Sequence, residues 1–413
     1  MTTLRTTLRQ SVWGSVPDRD WASGSWQLKN RVRTRAALER CFVLTPDERR
    51  GVEAAEAEGG FEWGITPYYL ALIDPTDPRD PVRQQCVPSA AESHVHPHDL
   101  VDPLGEDPKM PVPGLVHRYP DRVLLLLTDR CTVYCRFCTR RRLVGTEERQ
   151  LRDDELDAIA DYLRRTPSVR EVIVSGGDPL VVGDRFLERV LSRLREIPSI
   201  ELLRIHTRMP VVCPQRITPS LARILRRAQP LYVVTHFNHP YELSREAKAA
   251  CSLLADHGIP LANQSVLLAG VNTDPVILEA LSRELLRVRV RPYYLHQGDL
   301  ANGTEHFRTP LAAAVELVGA LRGRLGGLGI PALIVDLPGG KGKVELAPDP
   351  VIERHGREVT FRAPLGGTAR YVEPIATDLS CSTADAVAFR YGISREPAAA
   401  PGVEKLVALR GAR

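Results

Sequence analysis

Arg122-Val-Leu-Leu-Leu-Leu-Thr-Asp-Arg-Cys131-Thr-Val-Tyr-Cys135-Arg-Phe-Cys138 sets two signals side by side. Between Arg122 and Thr128 lies an unbroken apolar run, 123–127, the pattern of a strand buried on both faces, as in a parallel sheet. Its last eight hold three cysteines, in the loop that such a strand would feed. Working outward, similar runs lie at 171–175, 201–207, 231–235, 260–267 and 290–296. Between them, helix-period stretches fill 153–165, 184–195, 219–227, 242–257 and 275–288. Strands of this kind alternating with amphipathic helices predict parallel βαβ units and an α/β fold. No glycine-rich dinucleotide turn follows the first strand, so a partial (β/α)6 barrel is expected rather than a doubly wound nucleotide fold. In a barrel the chemistry sits at the carboxyl ends of the strands. The informative windows are then 129–140, 175–180, 235–240, 264–272 and 296–300.

The rest of the chain divides around this barrel, taken as 111–300. Residues 1–110 read as a mostly helical extension, with a helix over 46–58 that Thr45 caps and Pro46 begins. Residues 301–375 form a C-terminal segment: a helix at 311–324, a strand at 330–336 and the loop Pro338-Gly-Gly-Lys-Gly-Lys343. The Ala-rich tail, 376–413, is expected to be irregular and flexible. The 413 residues are 43% hydrophobic and 26% charged, enough apolar content for a large core and too much for bulk disorder. A net charge of +4 predicts no polyanion partner, so no nucleic acid is expected. No apolar run approaches the roughly 18–20 residues needed to cross a bilayer, and the start lacks a signal-peptide core. A soluble cytoplasmic protein with no membrane partner is expected.

Eight cysteines lie at 41, 86, 131, 135, 138, 213, 251 and 381. Five are scattered, as small buried hydrophobes are. The crowded three have the look of ligands. A structural zinc normally needs four, and no second pair lies nearby. Three thiolates suit a cubane iron–sulfur cluster with one iron left open. His94, His96 and His98 match no standard metal spacing and read as a polar loop.

The CxxxCxxC loop after the first barrel strand resembles the radical S-adenosylmethionine (SAM) superfamily, in which the open iron chelates SAM. Ser175, Gly176, Gly177 and Asp178, at the end of the second strand, resemble its SAM-holding motif. Five further stretches narrow the resemblance: Pro113-Gly-Leu-Val-His-Arg-Tyr-Pro-Asp-Arg122, Cys138-Thr-Arg-Arg-Arg142, Thr235-His-Phe-Asn-His-Pro240, Asn263-Gln-Ser-Val-Leu-Leu268 and Val335-Asp-Leu-Pro-Gly-Gly-Lys-Gly-Lys343. In order and spacing they are similar to the lysine 2,3-aminomutase family, from about Trp21 to Pro374. That resemblance implies an isomerase that uses a [4Fe-4S] cluster, SAM and pyridoxal 5′-phosphate (PLP) to move an amino group from C2 to C3. It implies PLP on Lys343, with Lys341 as the local rival, and a PLP site completed by Arg118, Arg122 and Gln264. It places His236 and Asn238 beside SAM, Arg140 on the substrate carboxylate, and Asp299 and Asp336 on a side-chain cation. Two aspartates favour a basic amino acid over glutamate, which they would repel.

Departures from the family bear on substrate and assembly. Its lysine-type members carry a zinc-binding cysteine cluster in the tail. Here Cys381 stands alone, Thr383 and Ala386 fill two other tail positions, and Asp274 replaces the barrel cysteine. Structural zinc is expected to be absent. A homo-oligomer is still expected, in a form the missing zinc ligands leave open. His296 and Gly298 stand where lysine enzymes are bulkier, with Gly298 read as room for a longer substrate. The leading reading is a 2,3-aminomutase for a free basic L-amino acid, lysine ahead of arginine, served by an electron donor that the sequence does not identify. Its alternatives are an arginine 2,3-aminomutase of a secondary pathway, a lysyl-modifying enzyme acting on a translation factor, and an iron–sulfur electron-transfer or nucleic-acid-binding module. The last would need neither Lys343 nor the Ser175–Asp178 motif.

Overall fold

The computed structural model describes residues 7–145, 149–364, 366–374 and 383–392, and turns the apolar runs into one nine-stranded sheet. Its strands are β1 (Leu115–Tyr119), β2 (Arg122–Thr128), β3 (Glu171–Gly176), β4 (Leu202–His206), β5 (Leu231–Thr235), β6 (Leu261–Val266), β7 (Val290–His296), β8 (Ala332–Leu337) and β9 (Gly342–Leu346). Spatial order equals chain order. Strands β2 to β8 are parallel. β1 lies antiparallel on β2, and β9 folds back antiparallel on β8. Helices Asp153–Arg164, Asp184–Arg195, Pro219–Arg227, Arg245–Asp256, Pro275–Arg287 and Leu311–Leu321 make the crossovers between successive parallel strands. The six expected barrel strands are present, each to within one residue at either end, and β8 adds a seventh.

One expected helix starts late. Pro240–Glu242 is a 3-10 turn, and Ser244 caps Arg245–Asp256 by accepting from the Ala247 N–H at 3.1 Å. The start signal in front of Pro46 holds: Thr45 and Glu48 form a reciprocal capping box. The tail expected to be irregular contains a helix, Ala384–Tyr391, whereas Pro397 and its neighbours lie outside the described residues. A small antiparallel sheet, Val351–His355, Glu358–Arg362 and Thr368–Val372, precedes it.

A single apolar cluster joins the N-terminal residues Leu38, Val52, Ile65 and Tyr69 to the barrel helices through Leu187, Leu221 and Leu254. Each such side chain, fully buried, stabilises by about 1.5–3 kcal/mol, which ties the extension to the barrel. The inner face of the sheet is different. On β2, Leu125 and Leu127 are buried on the outer face, whereas Arg122 and Leu124 line a cavity; on β4, Leu203 and Ile205 alternate with the cavity-lining Leu202, Arg204 and His206. The cavity measures about 870 Å³ and takes side chains from all nine strands, so the sheet curves around it. The period-2 alternation thus places charged residues inside the fold. Among the described residues, no helix is long and apolar enough to cross a membrane.

Candidate active site

Cys131, Cys135 and Cys138 stand at one end of this cavity, on the loop after β2. That loop is held by the end of β3. Gly176 has φ 127°, and a Cβ there or at Gly177 would collide with the Thr128 and Arg130 carbonyl oxygens. Only glycine lets the two loops touch, and the Asp178 N–H then donates to the Arg130 carbonyl at 2.8 Å. Burial, then the neighbouring thiols, push Cys138 up to about 11 and Cys131 well above the usual thiol range. Cys131 and Cys138, whose ionisation the neighbouring thiols oppose, fit a cationic iron core, which would relieve that repulsion.

Ser175, Gly176 and Gly177 line the cavity beside the cysteines, and Asp178 lines it with both carboxylate oxygens engaged. Asp178 Oδ1 accepts from Thr207 Oγ1 at 2.6 Å and the Leu180 N–H at 3.0 Å, and Oδ2 from the Arg208 N–H at 2.8 Å. It therefore ties the β3 loop to the β4 loop. His236 lines the cavity with its ring 5.5 Å from Phe137, and its buried Nε2 makes no hydrogen bond. Burial, then the Arg208 cation, push its imidazole well below the usual range, so it stays neutral. Asn238 is not brought to the cavity. Its side chain donates to Gln85 Oε1 at 2.9 Å and accepts from the Val266 N–H at 2.8 Å, locking the β5 and β6 loops together.

At the other end, Lys343 lines the cavity, whereas its rival Lys341 does not. The antiparallel register sets Lys343 directly opposite Asp336, and Lys343 Nζ pairs with Asp336 Oδ2. Asp336 also accepts from Arg118 Nη2 at 3.0 Å and lies 3.5 Å from His296 Nδ1. Burial opposes its ionisation, but the His296 contact and the Lys343 cation together hold the carboxyl well below the usual range. Asp299 behaves oppositely: burial, then the charge of Asp336, push its carboxyl up to about 7. Gln264 and Arg122 complete this wall, Arg122 stacked 4.0 Å from the Tyr119 ring centroid and bonded to Asp121. Arg118, Arg122 and Gln264 line the same cavity as Lys343, and Arg118 shares Asp336 with it.

Three expectations change here. Arg140 lines the cavity, but its fork closes on Glu106, with Nε 3.0 Å from both carboxylate oxygens and Nη2 2.8 Å from Oε1, which leaves Nη1 as the nitrogen with no bond to Glu106. The reason is tertiary: the segment around Glu106 folds over the cysteine loop. Arg118 faces Asp336, so the expected phosphate and side-chain-cation sites meet in one ion cluster. Gly298 opens no room onto the cavity, because neither it nor Arg308, whose Cγ would lie 3.1 Å from a Cβ there, lines the cavity. The sequence windows also missed Glu106, His206 and Arg208, all on the cavity wall. The last two had a signal, since His206 ends β4 and Arg208 follows it, and β4 was the one of the six expected strands whose carboxyl end those windows skipped.

The model of the radical SAM superfamily matches residues 125–279, and that of lysine-2,3-aminomutase matches residues 318–408. The L-lysine 2,3-aminomutase of Clostridium subterminale is 48% identical over 374 residues, 91% of this chain and 89% of that one. That of Acetoanaerobium sticklandii is 48% identical over 367 residues, 89% and 88% of the two chains. The glutamate 2,3-aminomutase of Clostridioides difficile is 38% identical over 362 residues, 88% and 85%.

Proposed function

Because the chain belongs to the lysine 2,3-aminomutase family of radical SAM enzymes, we propose that it moves the amino group of a free basic L-amino acid, lysine before arginine, from C2 to C3. As an aminomutase it is an isomerase, and its superfamily brings a [4Fe-4S] cluster and SAM. PLP on Lys343 and an outside one-electron donor complete the reading. The observation that carries the substrate class is the placement of Asp299 and Asp336 on the wall that also holds Lys343 and Arg140. Two carboxylates there suit an ammonium and repel the side chain of glutamate.

When bound, the cluster supplies the electron that cleaves SAM, and PLP supplies the aldehyde through which the nitrogen migrates. Cys131, Cys135 and Cys138 would hold the cluster, and Ser175, Gly176, Gly177 and His236 would flank SAM. Arg118, Arg122, Gln264 and Lys343 would hold PLP. Arg140 Nη1 orients the substrate carboxylate. Asp299, poised near pH 7, gives up its proton as the substrate cation docks. Leu124, Ile173 and Val234 wall the cavity and exclude water from the reacting carbons. Fixing both ends of the substrate sets C3 in place for hydrogen abstraction.

Anaerobically reconstituted protein given SAM, PLP, dithionite and each of lysine, arginine and glutamate tests this, with chromatography resolving α- from β-isomers. β-Lysine is expected. Exclusive β-arginine overturns the lysine assignment, and β-glutamate overturns the role of the aspartates. SAM cleavage without any β-isomer would favour action on a protein-borne lysine.

A further inference from the structure

We propose that Arg208 is a positioning residue that holds the Cys135 sulfur and raises the reduction potential of the cluster. The inference rests on the cluster sitting at Cys131, Cys135 and Cys138. Arg208 follows β4 at the mouth of the cavity, with its side chain only 7% exposed. Its Nη1 donates to Cys135 Sγ at 2.8 Å. Its Nη2 donates to Glu242 Oε1 at 2.8 Å, to Tyr69 Oη at 2.9 Å and to Gln85 Oε1. Its backbone N–H is held by Asp178. The guanidinium is thus fixed from several sides, and its aim at the sulfur does not depend on a flexible side chain.

The charges around it explain why the sulfur matters. Glu242 is fully buried, and its Oε1 also accepts from Tyr69 Oη at 2.6 Å. Its Oε2 accepts from the Asn238 and His239 N–H groups at 2.6 and 2.9 Å. One shared carboxylate therefore serves a buried cation whose Nε makes no hydrogen bond. A ligated thiolate at Cys135 is the second anion this cation needs. An N–H···S bond and a fixed positive charge both favour the reduced cluster, which carries one more negative charge. Arg208 acts through Cys135.

The test is an EPR-monitored titration of the full-length, reconstituted protein without SAM, using dithionite and mediators, with iron and sulfide counted for every variant. Arg208→Lys keeps a cation for Glu242 but loses the fork that reaches Cys135. Poised at the unmodified midpoint, its reduced-to-oxidised ratio should fall about tenfold, equivalent to about 59 mV for one electron. Glu242→Gln removes the competing anion and should move the midpoint the opposite way. Tyr69→Phe removes a partner of Arg208 without touching Cys135 and should leave the midpoint in place. An unchanged or more positive midpoint in cluster-loaded Arg208→Lys overturns the proposal. So does a folded Arg208→Lys protein that holds no cluster, since Arg208 would then serve assembly. If Arg208→Lys does not fold, Glu242→Gln decides by the sign of its shift. Failure of the unmodified protein to bind a cluster would instead overturn the cluster reading.

Discussion

At the cysteine end of the cavity, Asp178 spends both carboxylate oxygens on Thr207, Leu180 and Arg208; at the lysine end, Asp336 shares its two oxygens among Arg118, Lys343 and His296. The first set is made of hydrogen bonds to backbone and neutral groups, locked further by the Gly176 and Gly177 contacts. The second is made of charged side chains that an incoming anion or cation can displace. The difference suits the chemistry proposed for each end. Electron transfer needs a fixed geometry, whereas exchange of a lysine between partners needs contacts that can be broken and remade.

Breaking the fixed end should have the largest effect. Cys138→Ala, or the same change at Cys131 or Cys135, should reduce bound iron and SAM cleavage to background. A variant that still cleaves SAM would detach the cluster from this loop. The lysine end should tolerate damage better. Asp336→Asn leaves Arg118 and Lys343 without their shared anion, a loss of about 3–5 kcal/mol for a fully buried pair, lowered to roughly 2–4 because Lys343 is part-exposed. The midpoint of urea unfolding reads this, and no change would mean that the ion cluster contributes nothing to the ligand-free fold.

The two aspartates at the lysine end also predict opposite pH behaviour. The folded carboxyl of Asp299, at about 7, lies above its ordinary unfolded value of about 4. Its contribution to stability is therefore whole below about pH 4 and is lost as pH rises through about 7. The shift amounts to about 4 kcal/mol at most, and Asp299→Asn should remove that slope between about pH 4 and 7. Asp336, held low, contributes above its unfolded value and loses that contribution only as pH falls below about 4. Free lysine should bind more tightly as pH rises from about 6 to 8, and calorimetry showing no such trend would break the link between Asp299 and the cation. The smallest effect should come from Gly298→Ala. Its new Cβ meets only the flexible stem of Arg308, so a cost below about 1 kcal/mol is expected, with little change in substrate choice. A marked switch toward arginine or away from lysine would restore Gly298 as a determinant of length.

Local pattern was enough for the parallel strands, since both-face burial leaves continuous apolar runs that need no partner to be read. It was also enough for the cysteine loop, where three thiols in eight residues carry their own chemistry. β1 and β9 were not legible, being five residues each, with His117, Arg118 and Lys343 interrupting any apolar run. Helix Ala384–Tyr391 hid in an Ala-rich tail whose weak amphipathicity gave no face to read.

The sequence by itself determined the α/β barrel and its cysteine loop, because these depend on spacing along one strand or loop, whereas the candidate substrate residues came from the family resemblance. The tertiary structure alone decided how those residues share their charges. Arg140 turned to Glu106, Arg118 to Asp336, Asn238 inward to Gln85, and Arg308 into the space at Gly298. Each partner lies more than ten residues away or on another strand except Arg308, and a guanidinium or amide will pair with whichever acceptor the fold delivers. The identity of a polar residue fixes what it can bind, and only the packing fixes which group reaches it first.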